Sequence, residues 1–168
     1  RAACYFKSFA VHLAPDLVGT VDLHVGFPDS PDLRHQVVIT PGAHAAFMLA
    51  AQVLTEPGDP ILFEDPGPFI ARNLFLSLGR RLLGVPVDDE GMDFEAALSA
   101  NPDTRMAFAM PSRHHPLGRT LSPARRQKLL DWAEAQSGWI IEDDYDSEFR
   151  YDSRPLPSMH SIDRAGRV

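Results

Sequence analysis

From Arg34 onward, short apolar runs of strand type alternate with stretches of helical period, and this alternation constrains the fold more than any other feature of the chain. Strand-type runs occupy residues 36–40, 61–63, 81–87, 105–110 and 139–141. Between them the pattern predicts helices over 43–55, 69–78, 93–99 and from Ser122-Pro123 to about residue 136. Serine at the N-cap with proline at the first helical position satisfies one orphan N–H and removes another. Pro57-Gly58 and Gly79 end the first two helices, because proline lacks the donor and glycine tolerates the left-handed turn. Parallel strands need a crossover of this length, so the alternation reads as βαβ units in a largely parallel sheet. Residues 1–33 are cut by Ala14-Pro15-Asp16, Phe27-Pro28-Asp29 and Ser30-Pro31-Asp32 into pieces with no clear period. They read as an irregular segment, followed by one α/β domain over 34–168.

Composition removes several function classes. A chain of 168 residues holds one core of ordinary size. Its net charge of −7 offers no electrostatic footprint for nucleic acid, so this segment is expected to bind none. No apolar run reaches membrane-spanning length. The single cysteine, Cys4, has no internal partner, which fits a reducing, cytoplasmic compartment. Arg1 is not an initiator methionine, so the chain is expected to begin inside a longer or processed product.

In parallel sheets ligands bind outside the carboxyl ends of the strands. Three unusual sequences fall there. Thr40-Pro41-Gly42-Ala43-His44 turns a strand into a helix and leaves backbone N–H groups free for a phosphate, or is a plain turn. Pro111-Ser112-Arg113-His114-His115-Pro116 sets two histidines in a loop without the further ligands a metal site needs. Trp139-Ile140-Ile141 ends abruptly in Glu142-Asp143-Asp144-Tyr145-Asp146, four acids in five residues. That cluster reads as a solvated loop, as a divalent-metal site on Asp144, Asp146 and Glu148, or as the partner of a protonated heterocycle. Calcium-loop spacing fails, because the sixth position from Asp144 is Phe149 where glycine is required. Flanking apolar residues argue against a solvated loop. A buried carboxylate facing a pyridine nitrogen would keep that nitrogen protonated, and a tyrosine hydroxyl could bond a phenolic ring oxygen.

Taken in order, Val37-Val38-Ile39-Thr40-Pro41-Gly42-Ala43, Leu54-Thr55-Glu56-Pro57-Gly58-Asp59-Pro60, Glu64-Asp65-Pro66-Gly67, Pro111 to Gly118, Ile140 to Arg150 and Arg154-Pro155-Leu156-Pro157 resemble the aminotransferase class I/II family, fold type I of the pyridoxal-phosphate-dependent proteins. The wording Glu-Asp-Asp-Tyr-Asp-Ser-Glu-Phe is most similar to the aminotransferase-like domain of MocR-type GntR regulators. The resemblance implies a three-layer α/β sandwich, a mostly parallel sheet with helices on both faces, forming an incomplete transferase-like large domain. It implies pyridoxal 5'-phosphate as cofactor, an amino acid or amine as small-molecule partner, and a homodimer in the parent protein. By the same resemblance Gly42, Ala43 and His44 would hold the phosphate, Asp143 (or Asp144 if the register slips) would meet the ring nitrogen, and Tyr145 and His115 would meet the ring oxygen. Pro68 stands where the subgroup carries its ring-stacking aromatic, and Phe69 follows it. The family's Schiff-base lysine is expected beyond Val168. Of the two lysines present, Lys128 lies within a predicted helix and Lys7 in the irregular segment. The expected function is therefore part of an aminotransferase-like protein, inactive as this chain alone; the alternatives are the effector domain of a MocR-type regulator or a degenerate truncated product.

Overall fold

The computed structural model describes Val38, residues 40–144 and residues 156–168. Its strands are β1 (Pro60–Asp65), β2 (Arg81–Asp88), β3 (Gly91–Met92), β4 (Met106–Ala109) and β5 (Trp139–Glu142), in the spatial order β3-β2-β1-β4-β5. The three pairings among β2, β1, β4 and β5 are parallel, and only β2 with β3 is antiparallel. Helices α1 (Ala43–Leu54), α2 (Phe69–Ser77), α3 (Glu95–Ala100), α4 (Pro123–Gln136) and α5 (Met159–Ile162) complete the described elements.

Strand periodicity divides the core in two. Leu62, Ala107, Ala109 and Ile140 point to one face, where they meet Leu129, Leu130 and Ala133 of α4, Phe94 and Met159. Ile61, Phe63, Met106 and Phe108 point to the other and meet Phe47 and Ala51 of α1 and Ala71 and Phe75 of α2. Helices thus cover both faces, as expected from strands that are apolar on both sides. Phe108 is the hub of the second core. It stacks on Phe63 at 5.2 Å and takes Phe47 and Phe75 edge-on at 5.1 and 5.7 Å. Burying one such ring contributes about 2–3 kcal/mol.

Two buried arginines join the layers. Arg80 donates from Nε to Thr55 Oγ1 (2.9 Å), from Nη2 to the Ala51 and Thr55 carbonyls (3.0 and 2.7 Å), and from Nη1 to the Leu78 carbonyl. It therefore closes the carboxyl end of α1, where a cation also meets the helix dipole favourably. Arg126 of α4 donates to the carbonyls of Leu121, Pro111 and Pro157, which ties the exit from β4 to the segment leading into α5.

The departures from the sequence pattern are local. Residues 88–91 form a turn, after which the chain pairs back on β2, Val87 with Met92, and buries Met92 completely. Asp93 N–H bonds to the Pro86 carbonyl, so the following helix starts at Glu95 rather than at residue 93. The short α5 was not anticipated, its period being too brief to read. The expected strand over 36–40 falls mostly outside the described residues, as does the 1–33 segment. Gly91 is required twice over: its φ is +92°, and an added Cβ would lie 2.8 Å from Leu121 Cα. Gly91→Ala is expected to cost about 2–4 kcal/mol through backbone strain and overpacking. A denaturant melt checks this, and a loss below about 0.5 kcal/mol would show that the turn relaxes freely.

Candidate functional site at the carboxyl edge of the sheet

After β1 the chain steps outward to β2, and it then returns to the other side of β1 as β4. The strand order therefore reverses between β1 and β4, and in parallel sheets such a reversal leaves a crevice at the carboxyl ends of the strands. Four pieces of chain converge around it: the start of α1, the exits of β1 and β5, and the loop after β4.

At the start of α1, Gly42 takes φ 98° and ψ 167°, a region essentially reserved for glycine. Its N–H bonds back to the Thr40 carbonyl at 2.8 Å, and the Thr40 hydroxyl donates to the Gly42 carbonyl at 3.0 Å. These bonds fix the angle at which the helix begins. No side chain caps this end and no acid stands in the first turn. Among the described residues a Cβ built on Gly42 would meet nothing within 4 Å, so the backbone faces open space there. First-turn N–H groups with the positive end of a helix dipole, opening on such a space, suit an anion.

Across the crevice β5 delivers the acids. The Asp143 N–H bonds to the Ala109 carbonyl at 2.9 Å, so its backbone stays in register with β4 one step past the ladder. Burial pushes the Asp143 carboxyl up to about 6; the neighbouring Asp144 carboxylate adds to the rise, and the His44 side chain opposes it. That electrostatic contact brings the first turn of α1 and the end of β5 to one place. Glu142 turns away. Its carboxylate accepts from the N–H groups of Met159 and His160 at 2.8 and 3.0 Å, capping α5, and burial nevertheless raises it.

Where β1 and β4 diverge, Glu64 reaches across. Its Oε2 accepts from the Met110 N–H at 3.1 Å and lies 3.8 Å from His114 Nε2, with both side chains almost fully buried. Burial pushes Glu64 up to about 8, with the Met110 N–H opposing and Asp143 adding to the rise. Burial lowers His114; the nearby Pro66 carbonyl, outside hydrogen-bonding geometry, draws it partly back. His114 Nδ1 accepts from the Leu117 N–H at 3.3 Å, so the proton of the neutral ring sits on Nε2, facing Glu64. At neutral pH the pair is therefore a neutral acid beside a neutral imidazole, not an ion pair.

A carboxyl whose folded value rises from 4.5 to about 8 binds its proton more tightly when folded. Its contribution is fully present below its unfolded value and is lost as pH rises towards 8. Wild-type protein is expected to lose stability between pH 5 and 8, and Glu64→Gln to flatten that slope. Melts across this range check it; parallel slopes for the two proteins would disprove it.

The edge gathers Gly42, Ala43, His44 and Asp143. Phe69, the first residue of α2, stands 66% exposed, and His115 is exposed on the loop after β4. Tyr145, Asp146 and Glu148 lie outside the described residues, and with them the alternative metal triad. Among the described residues no group of three histidine, cysteine or acidic side chains is placed to hold a metal ion. Lys128 pairs with Glu95. Sequence reasoning assigned no role to Glu64 and took His114 only as a weak chelator. The available signal was a glutamate directly following Ile61-Leu62-Phe63, since a charge inside an apolar strand needs a buried partner.

Comparison with known proteins places this geometry in context. The family model for aminotransferase class I and II matches residues 26–163. The chain is 39% identical over 133 residues to the "Probable rhizopine catabolism regulatory protein MocR" of Rhizobium meliloti, covering 79% of this chain and 27% of that protein. It is 28% identical over 147 residues to aromatic-amino-acid aminotransferase 1 of Thermococcus litoralis, covering 83% of this chain and 35% of that one. The crystal structure of Pyrococcus horikoshii kynurenine aminotransferase superposes with a TM-score of 0.71 at 29% identity, over 77% of this chain and 34% of that chain. The chain thus spans about a quarter to a third of the length of the relatives it matches. Among the described residues no helix is long and apolar enough to cross a membrane.

Proposed function

Because the chain belongs to the aminotransferase class I and II family, we propose that its carboxyl edge forms part of a pyridoxal 5'-phosphate site within a longer aminotransferase-like protein. The residues present fit that cofactor. An open helix start at Gly42 suits a phosphate, and a half-buried carboxylate at Asp143 suits a protonated ring nitrogen. The observation that carries the reading is that this open helix start and the half-buried Asp143 carboxylate lie at the same carboxyl edge of the sheet, with α1 packed near β5.

In this reading the N–H groups of Ala43 and His44 bind the phosphate, and the Asp143 carboxylate holds a proton on the ring nitrogen. Desolvation makes that last contact strong, because a buried carboxylate gains more from a cation than an exposed one does. Phe69 and His115 line the ring from α2 and from the loop after β4, and Tyr145 meets its oxygen. Bound there, the cofactor supplies an electron sink for reactions of an amino acid or amine.

Identity to the MocR regulator, 39%, exceeds the 28% and 29% to the two aminotransferases, and this supports the parent being a MocR-type regulator that senses its ligand through this domain. A cytoplasmic location and a homodimeric parent belong to the same proposal. Exposed Met48, Leu49 and Val53 on α1 and Phe69, Ile70 and Leu76 on α2 support the dimer, which sedimentation reads directly.

Titrating pyridoxal 5'-phosphate into the chain, followed by absorbance and intrinsic fluorescence, tests the site. Saturable binding competed by inorganic phosphate is expected. Binding indifferent to phosphate, or no binding at all, would overturn the reading.

A further inference from the structure

We propose that Glu64 is a positioning residue for Asp143: its side chain fixes the Ala109–Met110 peptide, and the carbonyl of that same peptide fixes the Asp143 backbone. The role deepens the reading of Asp143 as ring-nitrogen partner and rests on it. The geometry is a relay through one rigid plane. Met110 N–H donates to Glu64 Oε2 at 3.1 Å, and the Ala109 carbonyl accepts from the Asp143 N–H at 2.9 Å. A peptide group is planar, so restraining its N–H restrains its C=O.

A side chain is needed here because the backbone ladder has ended. The last β1–β4 pair is Phe63 with Phe108, and β1 turns away at Asp65-Pro66. The buried Met110 N–H would otherwise lack an acceptor at the reversal of strand order. An oxygen acceptor is therefore required, and a negative charge is not. Ionised Glu64 would repel Asp143 across the crevice, whereas the neutral acid holds the peptide without doing so. His114, from the loop after β4, closes the pocket with its Nε2 facing Glu64 at 3.8 Å. It is itself held in that loop, donating its N–H to the Arg119 carbonyl and accepting at its own carbonyl from Gly118.

The charged groups around the relay are Asp143 facing Glu64 from the end of β5, and Asp144 and His44 facing Asp143. Glu142, beside them in sequence, is engaged by α5. Burial is the main cause of the Glu64 rise and the Asp143 charge a smaller one, so a cation held at Asp143 would lower the midpoint at which Glu64 loses its proton only by that smaller part. Cofactor occupancy and the Glu64 proton are linked.

Carbon-detected NMR titration of the carboxyl groups, with and without pyridoxal 5'-phosphate, tests this on the whole chain. Glu64→Gln keeps an oxygen acceptor and no charge. It is expected to leave the Asp143 midpoint within ~0.3 pH unit of wild type and cofactor affinity within about 3-fold. Glu64→Leu removes the acceptor, and is expected to shift the Asp143 midpoint by more than ~0.5 unit and weaken binding about 10-fold. Asp143→Asn is expected to lower the Glu64 midpoint by roughly 0.5–1 unit. Glutamine and leucine behaving alike, or a Glu64 midpoint indifferent to Asp143→Asn, would overturn the proposal. The glutamine and asparagine variants are near-isosteric and decide it even if the leucine variant does not fold. The ligand-free titrations need no cofactor, so they judge Glu64 even where failed binding sinks the functional reading.

Discussion

Asp143→Ala is expected to weaken pyridoxal 5'-phosphate binding about 10- to 100-fold, the largest single loss at this site. A charge-assisted hydrogen bond in a desolvated place contributes roughly 1.5–3 kcal/mol, which is that range in affinity. Asp143 is half-buried beside Asp144, and burial has already raised it to about 6. Its ionised form is therefore costly in these surroundings and gains most from a cation beside it. Binding should strengthen as pH rises through about 6, as the carboxylate forms, and the alanine variant should lose this dependence. Asp146→Ala, outside the described residues, is expected to change affinity less than about 3-fold. Equal losses from the two substitutions would mean that the acids act as a diffuse negative loop and that Asp143 is not a placed partner. The measurement is the same absorbance titration at several pH values.

Arg80→Met is expected to destabilise the fold by about 2–4 kcal/mol, although no part of Arg80 lies at the site. Methionine keeps much of the apolar stem and removes the guanidinium. The buried Thr55 carbonyl and the half-buried Leu78 carbonyl then each lose a donor, and a buried orphaned group costs roughly 1–3 kcal/mol. Thr55 Oγ1 still donates to the Ala51 carbonyl at 2.6 Å, so that group keeps a partner and the loss stays below the sum of four bonds. Arg81, the next residue, is the control. Its pair with Asp103 at 3.3 Å is about half exposed, and Arg81→Met should cost under about 1 kcal/mol. A denaturant series separates the cases: a lower midpoint at unchanged slope for Arg80, and almost none for Arg81. Similar midpoints for both variants would show that the buried network contributes little. The consequence reaches function, because Arg80 anchors the carboxyl end of the helix whose amino end opens at Gly42.

The sequence by itself determined the order of the elements. Ser122-Pro123 marked the start of α4, and the structure shows the Ser122 hydroxyl accepting from the Arg125 N–H. Apolar runs located β1, β2, β4 and β5 within a residue or two, because parallel strands buried on both faces have little choice of composition. Glycine at a strand-to-helix turn and acids after an apolar run marked the places around Gly42 and Asp143, because each is costly without a reason, while the roles proposed for Gly42, Ala43, His44 and Asp143 come from the family resemblance. Signals of that kind are local, so they survive without coordinates.

Only the tertiary structure decided what those residues face. No spacing in the chain reveals that β4 returns to the far side of β1, and hence that Glu64 meets Met110, 46 residues away. Glu64 read as one more letter of a motif, and His114 as a weak chelator beside His115, to which the resemblance gave a role at the ring oxygen. Packing separates them, burying His114 against Glu64 and leaving His115 exposed. Arg80 beside Arg81 is the same lesson: adjacent identical residues on a strand edge, one buried in a network of carbonyls and one in solvent. Successive side chains on an extended chain point to opposite sides, so neighbours in sequence enter different surroundings. Burial and ionisation come from the chains that happen to lie opposite, and that arrangement is a property of the assembled sheet, not of any single strand.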